Sequence, residues 1–349
     1  MSLENKFSNR HTIASYFARA HLENSVGLGV NEQQILALAG LTPSQLMQPK
    51  SRVLATQLAS IVKSCWLVSG DELLGFTEQK VKVGMFTLLA EHLITCKTLE
   101  GVLAHSQKFY NITGDQLQLK VEKKGSQVSV SVNANFKPNS ENSSANSVLI
   151  ELLLLICHRF PSWLVGRVIP LSYIHVKHAK PTHHEEYRLM FPCPCIYQST
   201  NNTLVFDAKY LNLPVIQTPD DLVKYAHQIP LQWFKKQAYY YTSSAQVLRI
   251  LESSLLDKES NLEHVAAKLN MTSRTLRRKL IAEGSRFQQL KDNTRRDKAI
   301  NLFEQADLTI AQIGLAVGFT ELATFSRAFK HWTGVSPNTY RNYHLLKTS

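Results

Sequence analysis

The first half of the chain mixes two hydrophobic periods. Apolar residues recur at helical spacing over residues 35–46 and 53–67, which is typical of amphipathic helices. Between residues 117 and 132, apolar and polar positions alternate on both sides of a turn at Lys124-Gly125. Because side chains on a strand point alternately to its two faces, this pattern predicts a β-hairpin with one buried face.

A longer apolar run follows, VLIELLLLICHRF at residues 148–160. It exceeds the usual length of a strand and predicts a buried helix. Two more strands are predicted near residues 173–177 and 204–206. Helices and strands mixed in this order predict an α+β fold for the N-terminal part.

The pattern changes at Asp220, where helical spacing returns and is then interrupted at Pro230. A chain of 349 residues has room for two domains at roughly 150 residues each. We predict an α+β domain over residues 1–219, a helical connection over 220–244 and an all-α domain over 245–349. Aromatic residues near the connection are expected to pack the domain junction, with stacking on bases or a ligand as the alternative; they are Trp233, Phe234, Tyr239, Tyr240 and Tyr241.

The last hundred residues contain an internal repeat. LEHVAAKLNMTSRTLRRKLIAEG aligns with IAQIGLAVGFTELATFSRAFKHWTG, so that Val265 matches Ile313. Each copy starts with a capping box, in which two side chains bond the exposed amides of a helix end, at residues 260–263 and 309–312. Each copy ends at a glycine suited to positive φ, Gly284 or Gly334. A short helix, a turn of three to four residues and a second helix make each copy a helix-turn-helix.

One further helix is predicted between the copies, over Phe287–Phe303. At 1.5 Å per residue it is roughly 25 Å long. Such a spacer would hold two recognition helices about one duplex turn apart, close to the ~34 Å needed to enter successive major grooves. The predicted C-terminal fold is therefore two helix-turn-helix units joined by a connecting helix, followed by a final helix that starts at Ser336-Pro337.

Residues 245–345 resemble the C-terminal DNA-binding domain of the AraC/XylS family of bacterial transcription regulators, most specifically in IAQIGLAVGFTELATFSRAFKHWTGVSPNTYR. In the first half, AGLTPSQL, VGMFTLLAEHLITCKTLEGVL and LVFDAKYLNLPV are similar to the arabinose-binding and dimerisation type of N-terminal domain in that family. The resemblance implies a homodimer that binds double-stranded DNA and activates transcription by contacting RNA polymerase. It also allows for a small-molecule effector.

The resemblance further implies that the outer face of each second helix touches bases. In the first copy that face carries Arg274, Arg277 and Arg278. Each guanidinium group can donate a bidentate hydrogen bond to O6 and N7 of one guanine. The alternative is a basic face that is merely solvated.

The second copy departs from this pattern, since the matching positions are Leu322, Ala323, Ser326 and Arg327. Leu322 and Ala323 either contact thymine methyl groups or leave this copy mainly to hold phosphates, and Arg327 is open to a structural role. We therefore expect the first copy to read more of the sequence. Candidate phosphate contacts, with ordinary solvated charge as the alternative, are Lys279, Lys291, Arg295, Arg296, Lys298, Lys330 and His331.

Charge and cysteine content agree with an intracellular DNA-binding protein. The net charge is +12, and residues 241–349 carry half of that excess with sixteen basic against ten acidic residues. A basic balance favours a polyanionic partner. The five scattered cysteines argue for a reducing compartment, and the polar N-terminus lacks an apolar signal core. The longest apolar run is too short for a membrane span of ~20 residues, so a cytoplasmic protein without membrane contact is expected.

Other chemistry is less well supported by the residues. The segment HVKHAKPTHHEEYRLMFPCPCIY gathers histidines and cysteines, but Cys193 and Cys195 are spaced as Cys-x-Cys rather than as paired zinc ligands. We expect no metal there and no catalytic cysteine. No phosphate-binding glycine motif occurs among the 14 glycines, so no nucleotide cofactor is expected.

Three functions are weighed on this basis. The first is an effector-responsive, dimeric DNA-binding activator. The second is a DNA-binding dimer whose N-terminal domain has no ligand. The third, an enzyme with a DNA-binding tail, needs a catalytic cluster in residues 1–230, and we find none in the sequence.

Overall fold

The computed structural model describes residues 12–48, 50–137, 143–191, 193–234, 243–254, 261–283, 285–303 and 308–345. It divides into two compact units. The helical unit is drawn from Met1–Ala18, Leu36–Leu58 and Lys235–Ser349, and the sheet unit from Arg19–Ile35 and Ala59–Phe234. The domain boundaries predicted from the sequence stay a prediction. The units differ from them in that two N-terminal segments fold with the C-terminal helices.

The described helices, in chain order, are α1 (Ser15–Val26), α2 (Glu32–Leu38), α3 (Pro43–Met47), α4 (Ala55–Ser69), α5 (Met85–Leu93), α6 (Leu99–Ile112), α7 (Ser143–Leu164), α8 (Tyr187–Met190), α9 (Pro219–His227), α10 (Leu231–Phe234), α11 (Ser243–Ser254), α12 (Leu262–Lys268), α13 (Ser273–Ala282), α14 (Phe287–Phe303), α15 (Ile310–Ala316), α16 (Leu322–Thr333) and α17 (Pro337–Leu345). The described strands are β1 (Thr12–Ala14), β2 (Arg52–Leu54), β3 (Leu117–Lys124), β4 (Gln127–Ala134), β5 (Leu171–His175), β6 (Cys195–Ile196) and β7 (Asn202–Asp207). The α+β N-terminal part and the all-α C-terminal part predicted from the sequence are confirmed.

The sheet unit contains a five-stranded sheet in the order β3-β4-β7-β5-β6. The predicted hairpin is confirmed as β3 and β4, which pair antiparallel from Leu117 opposite Ala134 to Lys124 opposite Gln127. Gly125 forms the turn at φ 59°. Val128, Val130 and Val132 are buried, so the alternating pattern correctly indicated the covered face.

Helix α7 is the predicted buried helix. It packs on β4 and β7, and Val148, Leu154 and Leu164 are fully buried. Its stretch Ala145–Leu164 is long and apolar enough to cross a membrane, but 72% of it is buried within the protein, as expected of a helix that forms part of a core.

An aromatic cluster closes the core of the sheet unit. The Trp233 ring lies 5.1 Å from that of Phe86 and 5.8 Å from that of Trp66, both edge-on. Trp233 is therefore a core residue, and Phe234 is buried as well. The other aromatics of the predicted junction, Tyr239, Tyr240 and Tyr241, lie outside the described residues.

The helical unit has two apolar clusters. The first includes Val265, Leu276 and Leu290, and the second includes Ile313, Phe325 and Phe329. Helix α14 has its predicted bounds and contributes to both clusters, because Leu290 lies in one and Phe303 in the other. A single rigid helix thus joins the two cores.

A two-stranded ribbon completes this unit. β1 pairs antiparallel with β2, with Ile13 opposite Val53. Leu54 packs against the second apolar cluster. The helix predicted across residues 53–67 begins only at Ala55, because the residues before it are used in the ribbon.

Candidate nucleic-acid interface

The two predicted helix-turn-helix copies share one backbone geometry in their turns. In the first, the amides of Asn270 and Met271 donate to the carbonyls of Ala267 (3.0 Å) and Ala266 (2.9 Å). In the second, Gly318 and Phe319 donate to Leu315 (3.0 Å) and Gly314 (2.9 Å). This nested pair of bonds is a Schellman motif, which requires a left-handed residue after the helix. Asn270 at φ 54° and Gly318 at φ 85° supply it.

Capping residues define where the helices begin. Thr309 and Gln312 form the predicted capping box of α15, with bonds of 2.7 and 3.2 Å. The box predicted at residues 260–263 is wrong, because α12 begins one residue later and is capped by Asn261, which accepts from the amide of His264 at 2.8 Å. Asn is as good a cap as Ser, so the sequence alone did not distinguish them.

The ends of the second copy agree with the prediction. Gly334 ends α16 at φ 86°, and its amide donates to Lys330 O at 2.8 Å. Ser336 Oγ accepts from the amide of Thr339 at 3.1 Å, which caps α17 ahead of Pro337 at the first helical position. The other predicted end, Gly284, lies outside the described residues.

Helix α13 has one buried and one basic face. Leu276 and Leu280 are 0% and 1% exposed, because they lie in the first apolar cluster. Arg274, Arg277 and Arg278, with Lys279 beside them, are exposed. Residues at i, i+3 and i+4 lie on one side of a helix, so the three guanidinium groups form a single basic strip opposite the core.

Helix α16 presents a less charged face. Phe325 and Phe329 are fully buried, with their rings 5.6 Å apart. The outer positions Leu322, Ala323 and Arg327 are exposed, while Ser326 is half-buried. Arg327 Nη2 lies 3.5 Å from Thr324 Oγ1, a long contact that fixes the guanidinium only weakly.

Helix α14 corrects part of the predicted phosphate surface. Arg296 is 8% exposed, and its guanidinium donates to Asp297 Oδ1 at 3.0 and 3.1 Å and to Asn293 Oδ1 at 3.0 Å. The prediction that Arg296 contacts phosphate is therefore wrong. Its guanidinium forms a buried ion pair with Asp297. A sequence pattern does not distinguish a buried arginine from a solvated one.

The other basic residues of α14 are half-buried. The Arg295 guanidinium lies 4.8 Å from the Phe319 ring centre and donates to Gly318 O at 3.3 Å, so it braces the second turn. Burial lowers the pKa of Arg295, of Lys291 and of Lys298. The remaining candidates for phosphate contact, Lys279, Lys330 and His331, are exposed.

Sequence reasoning missed a buried polar cluster that fastens α14 to the ribbon. Thr12 Oγ1 donates to Asp297 Oδ1 at 2.5 Å. Arg52 donates from Nε to Thr12 Oγ1 at 2.7 Å and from Nη2 to Thr12 O at 2.8 Å. With Arg296 on the same carboxylate, Asp297 is held between the ribbon and its own helix. Residues 285 positions apart meet here, so no local signal in the sequence indicates the contact.

The segment that leads into β2 also reaches the end of α16, the second helix of the second copy. Lys50 Nζ donates to His331 O at 3.3 Å, in the last turn of α16. A cation at a helix C-terminus complements the partial negative charge of the exposed carbonyls. The two contacts hold α14 and α16 to the same N-terminal segment.

The histidine- and cysteine-rich segment belongs to the sheet unit. His183 Nε2 lies 3.0 Å from Glu151 Oε1, and the Tyr187 hydroxyl donates to the same oxygen at 2.6 Å. His178 Nε2 lies 2.8 Å from that hydroxyl. Across the described residues, no group of three or more His, Cys, Asp or Glu side chains is placed to hold a metal ion. Burial raises the pKa of Cys193 to about 12 and that of Cys195 to about 11, so both thiols stay protonated near neutral pH.

Comparison with known proteins matches both parts of the chain. Residues 29–215 match the arabinose-binding domain of AraC transcription regulators, N-terminal type, and residues 265–343 match a helix-turn-helix domain. The ornithine utilization regulator of Pseudomonas aeruginosa is 23% identical over 331 residues, covering 93% of this chain and 95% of that protein. The regulator VqsM of the same organism is 25% identical over 220 residues, covering 62% of this chain and 66% of VqsM.

Among solved structures, the transcriptional regulator CdpR of Pseudomonas aeruginosa aligns at 18% identity and a TM-score of 0.33, covering 93% of this chain and 98% of CdpR. The arabinose-binding domain model alone spans more than half of the chain, and the two exposed recognition helices lie in the part matched by the helix-turn-helix model. The chain belongs to the AraC family of DNA-binding transcription regulators.

Proposed function

We propose that this regulator reads its operator mainly through Arg274, Arg277 and Arg278 of α13. The observation that carries the proposal is the strip of three exposed guanidinium groups opposite the buried Leu276 and Leu280. One arginine can donate a bidentate hydrogen bond to guanine O6 and N7, and each such contact gives about 1–3 kcal/mol of discrimination against the other bases.

Helix α16 contributes a second, weaker reading. Leu322 is 50% exposed, and together with Ala323 it offers apolar contact to thymine methyl groups. Lys279, Lys330 and His331 supply phosphate contacts that orient the protein on the duplex. Helix α14 contributes to both cores, which supports a fixed spacing between the two readers.

Selection of bound DNA from a random pool tests the base-reading assignment. Wild-type chain is compared with Arg277→Ala and with Lys63→Ala, which removes one exposed positive charge from α4. We expect Arg277→Ala to lower the affinity for the selected operator about tenfold or more and the affinity for random DNA far less. Lys63→Ala is expected to change the affinity for neither the operator nor random DNA. Equal loss on operator and random DNA in the Arg277 variant would reduce that residue to a phosphate contact.

We propose further that the chain works as a cytoplasmic homodimer and activates transcription by contact with RNA polymerase. Membership of the family supports this arrangement. Selection with the full chain should then enrich two copies of one motif at fixed spacing, because a symmetric dimer binds paired half-sites. Action by binding rather than by catalysis is supported by relatives that are named as transcription regulators and by the raised pKa values of the half-buried thiols of Cys193 and Cys195.

A small polar effector is proposed for the sheet unit. A groove of about 470 Å³ lies over β3 and β4 and carries Asp115, Lys120 and Lys177 among amide side chains. That volume suits a small metabolite. Charges of both signs fit a zwitterion, and a relative along most of the chain is named for the use of ornithine, an amino acid.

Thermal unfolding with a panel of metabolites, including ornithine and arabinose, tests this part. A ligand bound only to the folded state must raise the midpoint temperature. Lys177→Ala is expected to remove the shift, and Lys224→Ala, a charge change on α9, to leave it. If no compound shifts the wild type, the rival proposal of a ligand-independent dimer gains support.

A further inference from the structure

The two recognition helices differ at the residue that precedes them. Thr272 caps α13 through its hydroxyl, which accepts from the amide of Thr275 at 3.2 Å. Leu276 matches Phe325 in the repeat, so the residue equivalent to Thr272 is Glu321. Glu321 has the extended backbone of a capping residue, at φ −121° and ψ 130°, but its side chain bonds no amide of α16.

The Glu321 carboxylate is exposed and oriented by its neighbour. Thr324 Oγ1 donates to Glu321 Oε2 at 3.2 Å, and Arg327 in turn approaches Thr324 rather than the carboxylate. Glu321 directly precedes the exposed Leu322 and Ala323 on the proposed DNA-facing side. An acceptor without a helix-capping bond therefore stands where the major groove is expected.

Physical chemistry restricts what this carboxylate can meet. Near the phosphates a negative charge opposes binding, unless it gains a hydrogen bond from a base. In the major groove, guanine and thymine present acceptors, which repel a carboxylate. Adenine places its amino group beside the acceptor N7, whereas cytosine presents the N4 amino donor, with which Glu and Asp pair.

We propose that Glu321 determines specificity in the second helix by accepting a hydrogen bond from cytosine N4, with Leu322 against the methyl group of a neighbouring thymine. The inference rests on the proposed function, because it requires α16 to enter the major groove. The outer positions of α16 before Arg327 carry no arginine, so they do not themselves indicate a base preference. Glu321 would give α16 such a preference.

The test uses the full chain and the operator selected by wild type. Variants are Glu321→Ala, Glu321→Gln and, as a matched control, Glu263→Ala, which removes an exposed carboxylate from the first turn of α12. We expect wild type to prefer cytosine about tenfold at one position in the second half of the site. Glu321→Ala should lose this preference while its binding to the other bases holds or rises. Glu263→Ala should retain the preference.

Modified DNA tests the contact atom by atom. Replacing that cytosine by 2-pyrimidinone, which lacks the N4 amino group, should weaken wild type about tenfold and Glu321→Ala hardly at all. Replacing the neighbouring thymine by uracil removes one methyl group and should affect wild type more than Leu322→Ala. The thermal midpoints of the variants distinguish a loss of stability from a loss of base recognition. A purely structural role of Glu321 would weaken binding to all DNA sequences equally.

Three results would overturn the inference, and they are distinguishable. If wild type selects a motif through α13 but shows no cytosine preference that depends on Glu321, the assignment of Glu321 fails and the proposed function stands. If wild type selects no motif at all, the proposed function fails as well. Equal loss on 2-pyrimidinone in wild type and Glu321→Ala also refutes the contact.

Discussion

At the scale of single residues, Asn270 and Gly318 occupy the same place in the two turns and meet the same backbone requirement differently. Both lie in the left-handed region, which costs most L-residues roughly 1–2 kcal/mol. Glycine adopts it freely, and asparagine tolerates it better than other residues. The turn thus constrains residue type at this position without any contact to DNA.

Gly318→Val is expected to lower the free energy of unfolding by about 2 kcal/mol, because a β-branched residue is strained at φ 85°. Gly318→Asn should cost less than half of that, and Asn270→Gly should be neutral or stabilising. Urea denaturation of the full chains gives the values. A Gly318→Val variant as stable as wild type would contradict the strain argument.

A buried histidine makes stability depend on pH. His158 is 2% exposed, and its Nε2 lies 2.7 Å from Ile169 O. Burial lowers the pKa of His158 to about 4 from 6.5, so between these values the unfolded chain binds a proton that the folded chain does not. Its contribution is complete above pH 6.5 and is lost as the pH falls towards 4, by about 3 kcal/mol in total.

His158→Gln isolates this effect, because glutamine does not titrate. The difference in unfolding free energy between wild type and the variant should be constant above pH 7 and then shift against wild type by about 3 kcal/mol towards pH 4. Chemical denaturation at a series of pH values provides the curve. A difference that stays flat across this window would mean that His158 can be protonated without cost in the folded state.

At the scale of elements, helix α14 is held on more than one side. It contributes Leu290 and Phe303 to separate cores, and the ribbon of β1 and β2 holds its Asp297. Lys50, which precedes β2, also bonds the end of α16. The second helix-turn-helix therefore depends for its packing on residues from the beginning of the chain.

Thr12→Val should destabilise the helical unit by about 1–3 kcal/mol, since it leaves Asp297 and Arg52 short of a buried partner. Thr294→Val is the matched control on α14, because Thr294 is also buried but its hydroxyl donates to the backbone carbonyl of Leu290 at 2.8 Å. The control should cost less than about 1 kcal/mol. Hydrogen exchange of α14 amides, together with urea denaturation, reports both effects. Equal costs would show that the link to the ribbon adds nothing beyond an ordinary helix bond.

At the scale of the whole molecule, electrostatics sets how the protein approaches DNA. The net charge of +12 is shared equally between residues 1–240 and 241–349, so the shorter C-terminal part is the more densely basic. Each neutralised phosphate releases counterions and steepens the fall of affinity with salt. Affinity for any DNA should therefore depend strongly on ionic strength.

Lys330→Ala is expected to lower the affinity for selected and random DNA alike. It should also reduce the slope of log affinity against log salt by about 1. Fluorescence anisotropy at several salt concentrations measures the slope. Lys63→Ala removes the same charge from α4 and should leave the slope unchanged. Loss confined to the selected operator would instead make Lys330 a base contact.

The sequence by itself determined the local elements of this protein. The repeat, the positive-φ end of α16 at Gly334 and the alternating hairpin follow from periodicities and turn residues that act within a few positions. The basic strip of α13 was visible because its residues share one face with helical spacing, opposite Leu276 and Leu280.

Tertiary structure decided which of these side chains are available. Arg296 has the same charge as Arg277, but it is buried and bonds the carboxylate of Asp297. That carboxylate also accepts from Thr12, a residue 285 positions away in the sequence. Burial depends on contacts between distant segments, and a local pattern carries no record of them. For the same reason, the fold alone revealed that N-terminal residues complete the helical unit and that Glu321 leaves its carboxylate uncommitted to the helix it precedes.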